Sequence, residues 1–256
     1  MPWRKTRNPY RILVSEVMLQ QTSVARVMEK YAQFMRAFPN VKSLASAPTD
    51  ALLSAWKGLG YNRRALSLRA AARIIVSDHH GKVPSSLDAL VSLPGVGHAT
   101  AAAVLAYSYA IAVPFVETNI RRVFLHFYFP GEDRVPDTRI IPLVEKTLDK
   151  SNPREWFYAL MDYGAMLGKT RENANRRSIR YRTQKPFEGS FRQLRGAILA
   201  AMLTLRKADA AQIAEAVGTP DTRLAEALAQ LVREGFLARR GNRYRFSEQS
   251  SGSRRR

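Results

Sequence analysis

The sequence contains no cysteine among its 256 residues. That excludes disulfides, thiolate nucleophiles, and zinc or iron–sulfur centres held by cysteine. Histidine is scarce as well, at four, so a metal centre is poorly supplied and none is expected. No apolar run is long enough to cross a bilayer and no signal-peptide pattern opens the chain. A protein without membrane partners is therefore expected, cytoplasmic, and nucleoid-associated if prokaryotic. Acids are the remaining shortage: 21 Asp and Glu against 41 Lys and Arg leave a formal charge of +20. Such an excess points to a polyanion, nucleic acid first, against the plainer reading of a merely soluble basic protein. With 46% hydrophobic residues the chain can bury a real core, and its length suits two or three units.

Among what is present, one stretch organises the rest. Leu93-Pro94-Gly95-Val96-Gly97 separates an apolar-periodic segment ending at Leu90 from the strongly helix-forming Thr100–Ala106. A proline followed by two glycines cannot continue a helix and permits a turn with positive φ. The reading is helix, glycine hairpin, helix. The hairpin's backbone N–H groups and the dipole of the second helix suit a phosphate. Some fifteen residues on, Glu117 heads the amphipathic segment Thr118-Asn119-Ile120-Arg121-Arg122-Val123.

Toward the N-terminus, Asn8-Pro9 is an N-cap followed by a first-position proline. It opens a helix over Tyr10–Leu19 in which Glu16 stands among Ile12, Leu13, Val17 and Leu19. Two readings remain for Glu16: the solvated side of an amphipathic helix, or a carboxyl group in an enclosed pocket with its pKa raised by desolvation. Further helices are predicted over Val24–Phe38, from Thr49 to Gly58, and from Tyr61 to about His79. Arg63 and Arg64 at the start of the last either hold phosphates or lie on a solvated face. Helices follow over 137–149 and from Asn152-Pro153 to Gly168. Lys169–Lys185 then carries seven basic residues against one acid, Glu172. Its Arg176, Arg177 and Arg180 are candidate phosphate ligands, the alternative being a solvated linker. Pro186–Ser190 reads as a boundary. Beyond it come helices over Phe191–Thr204, Asp209–Val217 and Pro220–Glu234, then two alternating strands around Gly241-Asn242. That order is a winged helix. The expected domains are a core over 1–186, a winged-helix-like domain over 187–247 and a disordered basic tail over 248–256.

Several of these segments together resemble the helix-hairpin-helix DNA glycosylase superfamily, which includes endonuclease III and the A/G-mismatch adenine DNA glycosylases. They are the Leu-Pro-Gly-Val-Gly hairpin with Thr100-Ala101, and the segment from Glu117 to Val123. To these add Pro2-Trp3-Arg4, Asn8-Pro9-Tyr10, the run Val14-Ser15-Glu16-Val17-Met18-Leu19-Gln20-Gln21-Thr22, Gly58–Ala65 and Ala159–Leu167. The likeness covers roughly residues 2 to 168. It implies an all-α, two-lobed core with duplex DNA between the lobes, to which the small winged helix is an addition.

By that resemblance Glu16 is the catalytic acid, and Leu19, Gln20 and Gln21 press into the duplex beside an extruded base. Glu117 stands where the family has its catalytic Asp, with Asn119 orienting groups in the pocket. Leu93, Gly95, Val96 and Gly97 form the phosphate-binding hairpin, where a monovalent cation would also fit. Two departures stand out. The superfamily's lyases carry a lysine where this chain has Ala99, so base excision without strand cleavage is implied. The family's iron–sulfur cysteines are missing, so no cluster is expected. The expected function is a monomeric, monofunctional glycosylase acting on double-stranded DNA with a mismatched or damaged base, adenine opposite guanine or 8-oxoguanine first. Excision of uracil, thymine or another mismatched base is the alternative within that class. A non-catalytic DNA-binding regulator is the alternative outside it.

Overall fold

In the computed structural model of the chain, residues 1–184, 186–218 and 222–248 are described. The helices are α1 (Pro9–Leu19), α2 (Val24–Ala37), α3 (Val41–Ala45), α4 (Thr49–Trp56), α5 (Arg63–Asp78), α6 (Leu87–Val91) and α7 (His98–Val104). They continue as α8 (Thr118–Tyr128), α9 (Asp137–Thr147), α10 (Pro153–Thr170), α11 (Phe191–Leu205), α12 (Ala210–Val217) and α13 (Leu224–Arg233). Strands β1 (Lys207–Asp209), β2 (Leu237–Arg240) and β3 (Arg243–Phe246) form one antiparallel sheet in the order β1-β3-β2. The protein is thus mostly helical, with a small C-terminal sheet. Two compact units each combine two stretches of chain, residues 1–20 with 77–184 and residues 21–76 with 185–256.

In the first unit, α1 begins where its caps predict. The Asn8 side chain accepts from the Arg11 N–H at 3.1 Å, and Pro9 takes a position where a missing N–H costs nothing. Apolar α1 residues Ile12, Leu13 and Val17 are buried, as is the run Ala101–Tyr107 from α7 onward. The alanine-rich helix after the hairpin is not a plain α-helix to its end. It widens into a π turn at Leu105–Tyr109 and closes on Ala110, a non-glycine residue at φ 55°. Such turns are rare inside helices and collect at functional sites. Phe115 and Phe157 meet with ring centroids 4.3 Å apart and anchor α10 to the segment before α8.

The second unit holds α2 to α5 and the C-terminal elements. Two of these elements carry weak local signals. Five-residue α3 is held by a capping box between Asn40 and Ser43, and no helix is expected there from sequence. Strand β1 is three residues long and pairs with β3 at Lys207, Ala208 and Asp209, so the hairpin becomes a three-stranded sheet. The C-terminal order is therefore α11, β1, α12, α13, β2, β3. The expected start of the third helix at Pro220, and the expected tail apart from Glu248, lie outside the described residues.

Candidate active site

The site is assembled within the first unit from α1, the π turn, α8, α10 and the N-terminal segment. Glu16 lies on α1 with its carboxyl group enclosed. Burial is the main cause that pushes its pKa up to about 8; the nearby Glu117 charge adds to this and Arg4 opposes it. Of the two sequence readings, the enclosed pocket therefore describes its surroundings better than a solvated helix face. Burial thus favours its protonated form near neutral pH.

Glu117 is the N-cap of α8. Its Oε1 accepts from the backbone N–H groups of Asn119 (2.6 Å) and Ile120 (2.8 Å), and Asn119 Nδ2 approaches Oε2 at 3.4 Å. These donors and the α8 dipole favour the charged form, as do Arg121 and Arg122; burial outweighs them and holds the pKa above its ordinary value. Two half-buried acids thus feel one another's charge, one with its pKa pushed up and the other fastened by a helix N-terminus.

Around them stands an aromatic and cationic frame that local sequence patterns do not reveal. Tyr107, from the π turn, stacks on Tyr158 at 4.4 Å, and the Arg4 guanidinium lies 4.3 Å from the centre of the Tyr158 ring. Burial and the charge of Glu16 hold the Tyr107 phenol far above its usual pKa, so it stays neutral. Its hydroxyl donates to the Met161 sulfur at 3.1 Å. Arg4 makes two hydrogen bonds to Asp162 at 2.7 and 2.8 Å. Buried Arg154 donates to the carbonyls of Tyr107, Arg4 and Thr6, tying the N-terminal segment to the π turn. Of this frame, only Pro2-Trp3-Arg4 and the Ala159–Leu167 segment stand out in the sequence.

Helix α8 is positioned by unusually close approach of α10. A Cβ at Gly164 would stand 2.3 Å from the Asn119 carbonyl oxygen, and one at Gly168 would stand 2.7 Å from Arg122 Cζ. Arg122 uses the room by donating to the Gly164 carbonyl (2.6 Å) and to Asn119 Oδ1 (3.0 Å). The spacing of four residues is visible in the sequence as a pair of small residues on one helix face. Gly164→Ala is expected to force α8 and α10 apart. Overpacking of this kind costs about 1–3 kcal/mol. A shift of ~1 Å at Glu117 can cost up to about a hundredfold in rate. A Cβ at Gly196 in α11 would meet nothing within 4 Å, which makes that position the control. The melting temperature should fall for Gly164→Ala and hold for Gly196→Ala; equal behaviour of the two would refute the close-packing account.

The segment after α10, where the resemblance would place cluster cysteines, does not fit such a cluster: the chain has no thiolate to offer. It is fastened by polar contacts instead. Arg177 donates to the carbonyls of Leu125 (2.8 Å) and Phe129 (2.6 Å) at the end of α8, Asn175 donates to the Thr118 carbonyl (3.0 Å), and Ser178 bridges Val135. Of the three arginines expected on phosphate, Arg177 is therefore turned inward onto α8. Arg180 pairs with Asp137 at 3.0 Å while staying largely exposed, and exposed Arg176 meets Glu172 at 4.0 Å. Of these candidate phosphate ligands, Arg177 thus spends its guanidinium on unsatisfied α8 carbonyls, while Arg176 and Arg180 stay exposed.

In the hairpin, Leu93 and Val96 are buried, so only their backbones are available to a ligand, while Gly95 (φ 78°) and Gly97 are exposed. Gly97 is the N-cap of α7 and supplies no side-chain cap, which leaves the first N–H groups of the helix open. Ala99 lies in the first turn of α7. Gln20 donates through Nε2 to Thr100 Oγ1 (3.1 Å) and the Gly95 carbonyl (3.3 Å), joining the end of α1 to the hairpin. Leu19 is half-buried, and Gln21 is exposed at φ 55°, an uncommon conformation for a non-glycine residue. In the second unit, Arg63 is exposed at the start of α5. Arg64 instead closes the Gly58–Gly60 turn, donating to Thr22 Oγ1 and the Leu59 and Gly60 carbonyls, with burial lowering its pKa to about 10.

Residues 14–142 match the family described as HhH-GPD superfamily base excision DNA repair protein. The chain belongs to this superfamily. It is 34% identical over 171 residues to an adenine DNA glycosylase of Buchnera aphidicola subsp. Baizongia pistaciae, covering 65% of this chain and 48% of the relative. It is 47% identical over 124 residues to an adenine DNA glycosylase of Mycobacterium tuberculosis, covering 48% and 41%. The chain spans about half the length of the curated relatives it matches. Among solved structures, a thermostable thymine-DNA glycosylase superposes with a TM-score of 0.60 at 27% identity, over 68% of this chain and 82% of that one. The superfamily match includes Glu16, the hairpin and Glu117, whereas α10 and everything after it lie beyond the match. No helix among the described residues is long and apolar enough to cross a membrane.

Proposed function

We propose that this superfamily member is a monofunctional DNA glycosylase that excises adenine mispaired with guanine or 8-oxoguanine and leaves an abasic site. The observation that carries the reading is Glu16, its pKa pushed up by burial and by the charge of Glu117, with the Glu117 carboxyl group fastened to the start of α8. A flipped purine receives the Glu16 proton at N7, and the C1′–N9 bond breaks with its electron pair going to the base. The Glu117 carboxylate faces the positive charge that develops on the sugar, as in glycoside hydrolysis. Water then adds at C1′ and gives up a proton. Gly95, Gly97 and the open N–H groups of α7 hold a backbone phosphate, with Leu19, Gln20 and Gln21 against the duplex and Arg63, Arg176 and Arg180 on further phosphates. The C-terminal order of α11, β1, α12, α13, β2, β3 supports a winged helix, and the basic β2–β3 hairpin favours a DNA contact.

The likeness to a thymine-DNA glycosylase favours one second reading, excision of a mispaired pyrimidine. Incubation with a panel of mismatched duplexes, followed by alkali, separates the two. The expected products are abasic sites, broken only after alkali or heat, because Ala99 offers no amine for a Schiff base. Borohydride trapping of a protein–DNA adduct at the efficiency of a lyase would contradict this, and cleavage confined to thymine or uracil strands would establish the second reading.

A further inference from the structure

Within the second unit, the loop between α3 and α4, helix α5, β1 and the end of β3 enclose a cavity of about 450 Å³. That is within the size range of small-molecule sites. Arg69, Arg73, Arg206, Lys207 and Arg245 line it, against only two carboxylates, Asp50 and Glu248. Arg206 pairs with Asp50, and Arg245 Nη1 meets Glu248 Oε1 at 3.1 Å. Five cations against two anions leave the cavity positive by three charges.

Arg69 is the decisive member. It is 2% exposed, on the inner side of α5. Its Nη1 donates to the Ala47 carbonyl (2.8 Å) and Thr49 Oγ1 (3.1 Å), but its Nη2 is buried with no hydrogen-bond partner among the described residues. The Nε of Arg245, also lining the cavity, is in the same condition. Burying a charged donor unsatisfied is costly, and a second cation nearby compounds the cost. Burial and Arg73 together lower the Arg69 pKa to about 10, the direction that an anion would reverse. The N-terminus of α4 also borders the cavity; Pro48 caps it without a side-chain acceptor, and Asp50 Oδ1 accepts from the Ala51 N–H at 2.8 Å.

We propose that this cavity is a phosphate-binding site, in which Arg69 Nη2 and Arg245 Nε are the buried donors and Arg73 and Lys207 the supporting cations. The phosphate group belongs either to a free phosphorylated small molecule or to a DNA strand. Nothing in base excision at Glu16 requires the site.

Inorganic pyrophosphate is the probe, titrated calorimetrically into the full chain at constant ionic strength with chloride as control. Saturable one-to-one binding is expected. Arg245→Gln and Arg69→Met should each weaken it at least about tenfold, the worth of one charge-assisted hydrogen bond. Arg69 also holds the Ala47 carbonyl, so melting curves accompany both variants, and Arg245→Gln keeps the test valid if Arg69→Met unfolds. Unchanged duplex affinity in the variants, with pyrophosphate binding lost, assigns the site to a free ligand. A matching loss of duplex affinity, with pyrophosphate competing against duplex, assigns it to a DNA strand. Parent-like binding of both pyrophosphate and duplex by folded Arg245→Gln overturns the proposal. So does a parent chain that does not bind pyrophosphate and whose duplex affinity ignores the substitution.

Discussion

Glu16→Gln is expected to abolish base excision while leaving duplex affinity within a few-fold of the parent. The amide keeps the shape of the acid, but it has no acidic proton to give. General acid catalysis is worth about a hundredfold to ten-thousandfold, so single-turnover excision should fall by that order. Loss of folding predicts the opposite trend in stability. The Glu16 pKa is raised from 4.5 to about 8, so its burial weakens the fold progressively as pH rises from the lower value to the higher and fully above it. Glu16→Gln removes that penalty and should melt no lower than the parent at pH 8 and above. In the parent, excision should be flat through neutrality and fall about tenfold per pH unit above about pH 8, as Glu16 loses its proton. Undiminished excision by the variant, or a parent rate that climbs steadily through pH 9, would remove Glu16 from the chemistry.

Glu117→Gln should cost about a hundredfold to a thousandfold, the usual worth of one fixed group facing developing charge. It has a second signature. The Glu117 charge helps raise the Glu16 pKa. Neutralising it makes Glu16 ionise more readily, so the alkaline limb of the residual activity should move to lower pH. A merely structural N-cap would lower stability by about 1 kcal/mol and shift that limb in the same way, but would leave the rate on the neutral plateau near the parent's. Glu117→Asp is a sharper test of why this chain has the longer acid. Asp caps helices well, so α8 should keep its start. The carboxylate, however, withdraws by ~1 Å from wherever the longer side chain presents it, a displacement worth up to about a hundredfold. The expected result is a stable, slower enzyme. A faster Glu117→Asp variant would mean that the pocket is still built for the shorter acid.

Much of the element plan was legible in the chain because its signals are local. Asn8-Pro9 starts α1, Pro94-Gly95 with Gly97 interrupts α6 and α7, Asp209 caps α12, and Gly241-Asn242 turns β2 into β3. Each acts over a few residues and survives any tertiary context. The same locality explains the misses. Helix α3 is short and held by a capping box with little apolar periodicity, β1 is three residues that count as a strand only beside β3, and the π turn sits in a run whose propensity is plainly helical.

The site divides along the same line. By itself the sequence determined that Glu16 lies on an apolar helix, that Glu117 heads an amphipathic one, that the hairpin bares backbone donors, and that no thiolate exists to hold a cluster. Only the tertiary structure decided which of those groups share an environment. The pKa of Glu16 follows from burial and from Glu117, 101 positions away in the chain. Tyr107 and Tyr158 stack across the π turn and α10, and Gly164 matters only because α8 crosses it. Arginine shows the limit most clearly, since Arg63, Arg64, Arg69, Arg176 and Arg177 look alike in sequence as excess positive charge. Folding turns Arg64 and Arg177 onto backbone carbonyls, leaves Arg63 and Arg176 in solvent, and buries Arg69 with one donor unmet. A guanidinium goes wherever unsatisfied acceptors are, and those are placed by the packing of segments far apart in the chain.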